Sequence, residues 1–183
     1  KPDTKKKEPS GRTSFHGHEH AGRRIARIIA KNLMLSSKER YAVEDIVTLH
    51  LRPGYMSNYK RPSDKMIYRF MREAKDEAVS VLLLSLADQY ATRGPLTTAH
   101  DVRHHEEIAF PLIDAWFAKK KEKPFVRLFD GHDLINLGLK PGPQFSAILK
   151  AVDEAQHLGK IRAKTEALAL ASRVAQKDGY ENS

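Results

Sequence analysis

Three histidines alternate in Phe15-His16-Gly17-His18-Glu19-His20, a spacing that suggests a metal site at first sight. Imidazole nitrogens bind zinc and its neighbours well, but a shell needs further donors brought in from elsewhere in the chain. His16 and His20 read as solvated. Asp88 follows the apolar run VSVLLLSLA, so its carboxylate lies near a core and must be hydrated, paired or bound to a cation. His100, His104 and Glu107 fall at spacings of four and three and share a helix face. That spacing can hold metal, although a solvated face explains it as well and is the reading adopted. There is no cysteine, hence no thiolate site and no disulfide framework. No Asp-x-Asp pair follows a strand-like run and no Gly-rich P-loop is present, so the chain shows neither a two-metal carboxylate pair of that form nor a phosphate loop.

Positive charge is the second chemical resource. The 183 residues carry a formal charge of +9, with a pI near 9.7, which favours polyanions such as nucleic acid. Arg23, Arg27 and Lys31 recur every four residues and form a basic stripe, while Ile25, Ile28, Ile29 and Leu33 form an apolar face opposite. Such a stripe can track phosphates.

The elements that must position these groups read as helices. A helix is expected over Glu19 to Leu35. A second is opened by the capping box Ser36-Ser37-Lys38-Glu39, carries Val43, Ile46, Val47 and His50 inward, and stops at Arg52-Pro53-Gly54. Tyr55 to Arg61 reads as a loop, and Ser63 or Asp64 caps the next helix. Glu77 to Tyr90 is apolar on nearly every bearing and is expected at the buried centre of its domain. Thr92-Arg93-Gly94-Pro95 closes that unit. A long helix from Thr97 to about Lys121 contains Pro111, which is expected to kink or interrupt it. Lys119 to Pro124 is a charged linker. After it, Asp130 caps a short helix, Gly138 stops it, Lys140-Pro141-Gly142-Pro143 reverses the chain, and Pro143 opens a helix with Phe145, Ile148, Leu149 and Val152 on one face. A last helix from about Thr165 carries Ala167, Leu170, Ala171 and Val174. No period-two alternation and no strand–turn–strand signal is visible, so the fold class is all-α. The expected organisation is a leader over 1–17, a helical domain over 18–123 and a small helical tail domain over 124–183. The longest apolar run, Val79 to Leu86, is far too short to span a bilayer, and no signal peptide is visible. The chain opens at Lys1-Pro2 without a methionine and is expected to belong to something longer.

The stretch DGHDLINLGLKPGPQFSAIL, continued by Gln156-His157-Leu158-Gly159-Lys160-Ile161, resembles the C-terminal region of bacterial tRNA nucleotidyltransferases and related poly(A) polymerases. Phe15-His16-Gly17-His18-Glu19 with Ala21-Gly22, then His50 and Ala87-Asp88, resemble the HD-type body of many of those enzymes, and Lys1-Pro2 resembles the end of its His-Asp-x-Gly-Lys-Pro segment. The resemblance implies an HD-like helical domain followed by a tail that holds tRNA or another RNA 3′ end, in the cytoplasm and away from membranes. A head not contained in this sequence would use Mg²⁺ with ATP or CTP. Nucleotide choice belongs to that head, so CCA-adding, A-adding and poly(A)-adding enzymes are covered alike.

RNA contacts are then expected from Lys140, Lys150, Lys160 and Arg162 in the tail and from Arg23, Arg27 and Lys31. The resemblance also implies His18, His50 and Asp88 as an incomplete metal shell, because the His-Asp pair would precede Lys1. No cofactor is expected in this chain itself, beyond a divalent metal if the HD site were complete. Two alternatives remain at this stage: an HD-type metal-dependent phosphohydrolase acting on nucleotides or cyclic phosphates, and a helical protein-interaction module.

Overall fold

The computed structural model describes residues 4–9, 13–92, 98–119 and 125–177. Lys1-Pro2, the turn at Arg93-Gly94-Pro95 and the linker after Lys119 lie outside the described residues. The chain divides into two compact units, Lys1–Ser63 with Phe70–Glu122 and Asp64–Arg69 with Lys123–Ser183.

The first unit is helical, with one small exception. Two-residue strands β1 (Lys6–Lys7) and β2 (Thr13–Ser14) pair antiparallel, and Ser14 Oγ donates to Glu8 Oε1 at 2.6 Å. Strands this short leave no period-two pattern in a sequence. The helices are α1 (His18–Asn32), α2 (Ser37–Leu49), α3 (Leu51–Met56), α4 (Asp64–Ala74), α5 (Ala78–Ala91) and α6 (Ala99–Lys119). Helix α4 gives its first six residues to the second unit. The Ser36–Glu39 capping box forms as expected.

Four local expectations are corrected. Pro53 does not end helical structure. It lies in the first turn of α3, where its missing N–H has no helical partner to lose, so Tyr55 and Met56 are helical and the loop starts at Ser57. Helix α6 runs through Pro111 without a break, because the helix on both sides is long enough to carry one missing hydrogen bond. Helix α5 buries Val81, Leu82, Ser85 and Leu86, but Leu83 and Leu84 face solvent. Its neighbours are α2, α3 and α6.

The fourth correction concerns the faces of α1. Ile25, Ile28, Ile29 and Leu33 are exposed, by between 46% and 66%, while Arg23 and Arg27, themselves partly exposed, reach across to α2. The cause is Glu44 on α2, whose side chain is buried. An isolated buried carboxylate is very unfavourable, so cations must reach it. Arg27 donates to it from Nε at 2.8 Å and from Nη2 at 2.6 Å, Arg23 from Nε at 3.1 Å, and Arg40 Nε lies at 3.9 Å. The helices approach closely enough that a Cβ on Gly22 would stand 3.0 Å from Val47 Cγ1. That contact is tighter than about nine in ten real ones, so a side chain here would require Val47 to shift by a few tenths of an ångström.

The second unit contains α7 (Gly131–Asn136), α8 (Pro143–His157) and α9 (Lys164–Lys177). Asp130 and Asp133 form a reciprocal capping box at α7, Gly138 turns the chain with φ 83°, and Pro143 takes the first position of α8. Leu134, Ile148, Val152, Ala167 and Ala171 form the core with Phe129, Ala155, Ile161 and Ala175. Asp133 also accepts an ion pair from Lys164 Nζ at 2.7 Å, which ties α9 to α7 and holds its carboxyl below the usual range.

Candidate functional site

Gly17 precedes α1 with φ 74°, a conformation that favours glycine. It turns the chain so that His18 becomes the first residue of the helix. His50 sits between α2 and α3, and Asp88 lies near the end of α5. Residues 32 and 38 positions apart thus converge: one ligand atom from each of His18, His50 and Asp88 lies within 4.8 Å of the others.

The imidazole geometry is informative. His18 Nδ1 is 2.8 Å from the Phe15 carbonyl, and His50 Nδ1 is 2.6 Å from the Val47 carbonyl. A carbonyl only accepts, so both protons are assigned to Nδ1. Both Nε2 atoms then present lone pairs, and they face each other at 3.3 Å. Two lone pairs at that distance repel unless a proton or a cation lies between them. Backbone carbonyls holding the far nitrogen are also how metal-ligating histidines are oriented. The donor set of two imidazoles and one carboxylate therefore fits a divalent cation such as zinc, nickel or manganese. Such an ion would polarise a bound water. A cleft of about 420 Å³ opens at His18, lined also by Phe15, Glu19, Leu51 and Tyr55.

We expect the trio alone to bind such an ion weakly. Calorimetric titration with Ni²⁺ should give weak binding, and His50→Ala should weaken it further by at least about tenfold. After dialysis the protein should retain well under one equivalent. Stoichiometric metal surviving dialysis would contradict this expectation.

His16 and His20 are exposed, as the sequence suggests. His104 Nδ1 meets Glu107 at 3.4 Å, but its Nε2 lies 3.0 Å from the Tyr59 carbonyl, and the ring stacks with His100 at 6.1 Å. Sequence reasoning missed the buried His105, which bonds Ser85 Oγ at 3.1 Å and whose pKa is pushed down by burial. It also missed Glu19, whose Oε2 is buried without a hydrogen bond and lies 3.9 Å from His18 Nδ1.

Among the basic candidates, Lys31, Lys140, Lys150, Lys160 and Arg162 are exposed. Arg23 and Arg27 are engaged by Glu44 while their side chains remain 41% and 49% exposed. Three guanidiniums around one carboxylate still leave a positive surface there.

Two curated relatives match nearly the whole chain. An A-adding tRNA nucleotidyltransferase of Deinococcus radiodurans is 29% identical over 179 residues, 97% of this chain and 39% of its own length. A CC-adding tRNA nucleotidyltransferase of Thermus thermophilus is 31% identical over 174 residues, 92% of this chain and 36% of its own length. The chain is a homologue of the bacterial tRNA nucleotidyltransferases. It spans less than two fifths of the length of these tRNA nucleotidyltransferase relatives. No protein-family model and no solved structure matches the chain. Among the described residues, no helix is long and apolar enough to cross a membrane.

Proposed function

We propose that this chain is the RNA-holding part of a tRNA nucleotidyltransferase, acting in the cytoplasm while a separate head, with Mg²⁺ and ATP or CTP, extends the tRNA 3′ end. The similarity to an A-adding and a CC-adding enzyme over 92–97% of the chain carries this reading. The basic surface supports it. Lys140 at the turn before α8, Lys150 on α8, and Lys160 and Arg162 before α9 all reach solvent from one unit. Lys31, with Arg23 and Arg27, offers a second basic surface on α1. Folded RNA is gripped through its shape, phosphates and 2′-hydroxyls.

Binding to tRNA should therefore weaken steeply with salt and should exceed binding to an unstructured strand of equal length. Replacing Lys140, Lys160 and Arg162 together with glutamate should reduce tRNA affinity by at least ~1 kcal/mol and lower the salt slope by about two units. Equal affinity for tRNA and the unstructured strand, unmoved by the triple change, would defeat the reading and favour a protein-interaction module.

A second reading rests on the facing His18 and His50 nitrogens beside Asp88. They support a metal-dependent phosphohydrolase acting on nucleotides or cyclic phosphates. Phosphate release from such a substrate in the presence of Ni²⁺, abolished by His50→Ala, would establish it.

A further inference from the structure

In the second unit, Phe125, Val126 and Arg127 are laid along α8. Gln156 brackets Arg127: its Nε2 donates to the Val126 carbonyl at 2.8 Å, and its Oε1 accepts from Leu128 N–H at 3.1 Å. In an extended chain, side chains two residues apart share a side and are separated by roughly 6–7 Å. On a helix, residues four apart are separated by roughly 6 Å. The two spacings match here. Phe125 stacks on His157 with ring centroids 3.7 Å apart and planes at 24°, and Arg127 Nε meets Asp153 Oδ1 at 3.4 Å. Tyr68 backs His157 at 4.7 Å and donates its hydroxyl to Asp153 Oδ2 at 2.9 Å.

The result is an aromatic ring stacked on His157 with an arginine two residues along the chain, paired to Asp153 one helical turn away. Phe125 remains 43% exposed although one ring face lies flat on His157, and the Arg127 side chain is 71% exposed. Arg127 meets Asp153 as an ion pair and not as a hydrogen bond, and its guanidinium carries five N–H donors. The Asp153 carboxylate is mostly buried behind it. An exposed hydrophobic ring held rigid by imidazole, beside a cation, is what a base and its phosphate recognise together. Stacking uses the π-face that every base has, and arginine takes the phosphate.

We propose that Phe125 and Arg127 form a one-nucleotide platform on which an unpaired base of the bound RNA stacks. This rests on the RNA-holding reading above and adds a site that sees single-stranded nucleotides. It predicts two separable modes: phosphate contacts from Lys140, Lys160 and Arg162, and base stacking at Phe125.

The test uses the full chain and three probes: a short single-stranded RNA carrying one 2-aminopurine, a blunt RNA duplex with the same number of phosphates, and tRNA. Stacking quenches 2-aminopurine. Wild type should quench the single strand. Phe125→Leu keeps an apolar side chain but removes the ring, and should abolish the quench and weaken single-strand affinity about tenfold. Its duplex affinity and melting midpoint should stay at the wild-type values. Arg127→Gln should weaken single-strand binding while preserving the quench at saturation. If Phe125→Leu quenches as wild type does, or weakens duplex and single strand alike, the platform is overturned and the RNA-holding reading stands. If the wild type binds none of the three probes, both readings fall.

Discussion

Glu44→Gln should lower the melting midpoint of the first unit by roughly 10 °C, the loss expected when one partner of a buried charge cluster is neutralised. The substitution keeps the volume and removes the charge. It leaves Arg23, Arg27 and Arg40 gathered around a neutral amide, with their mutual repulsion no longer offset. The carboxyl in the wild type is held at about 2, first by the Arg27 hydrogen bonds and then by Arg23, against the opposing effect of burial. Its ordinary value is 4.5, so the folded value is depressed. The stabilisation from this charge is therefore complete above about pH 4.5 and is lost as pH falls towards about 2. The gap in melting midpoint between wild type and Glu44→Gln should be widest near neutral pH and should close across that window. A gap independent of pH from 7 to 2.5 would mean that shape, and not charge, is what Glu44 supplies. The same experiment reads the orientation of α1. If Arg23 and Arg27 instead pointed away from Glu44, Glu44→Gln would be nearly silent.

The second large effect is expected in the other unit. Ile148→Ala should cost about 2–5 kcal/mol, the range for deleting most of a buried aliphatic side chain. Ile148 is fully buried, and Ala155, Ala167, Ala171 and Ala175 are in the same core. Alanines cannot reach into the space it leaves, so the cavity should persist. A unit of 67 residues buries little surface in total and has little stability to spare. Hydrogen exchange should therefore show peptides from α7, α8 and α9 losing protection, while peptides from α5 and α6 keep it. Affinity for tRNA should fall with that protection, since Lys140, Lys150, Lys160 and Arg162 all ride on this unit. Wild-type protection in α8 of the variant would show that the core repacks around the loss.

The sequence by itself determined the local structure wherever the signal is local. The Ser36–Glu39 box, the Asp130 cap, the stop at Gly138 and Pro143 at the head of α8 depend on neighbouring backbone groups, and each forms as read. The apolar face of α8 is read correctly for the same reason: Ile148 and Val152 have one plausible partner, a small core of short helices. Pairing across long separations was not legible. Periodicity gives a helix two faces but not which one is buried. For α1, a single carboxylate on another helix decided it: burying Glu44 required cations, and Arg23 and Arg27 were the pair at the right spacing. The effect of Pro53 and Pro111 depends on their position within a helix, which packing fixes: one lies in the first turn of α3 and the other lies inside α6 without interrupting it. The convergence of His18, His50 and Asp88 was drawn from a resemblance, but the facing of the two Nε2 atoms was decided only by the tertiary structure. The Phe15 and Val47 carbonyls set the tautomers, and backbone carbonyl directions are not encoded in residue type. The Phe125–His157 stack is of the same kind. It needs the segment before α7 to lie along α8 in one register, and the Gln156 side chain of α8 supplies that register.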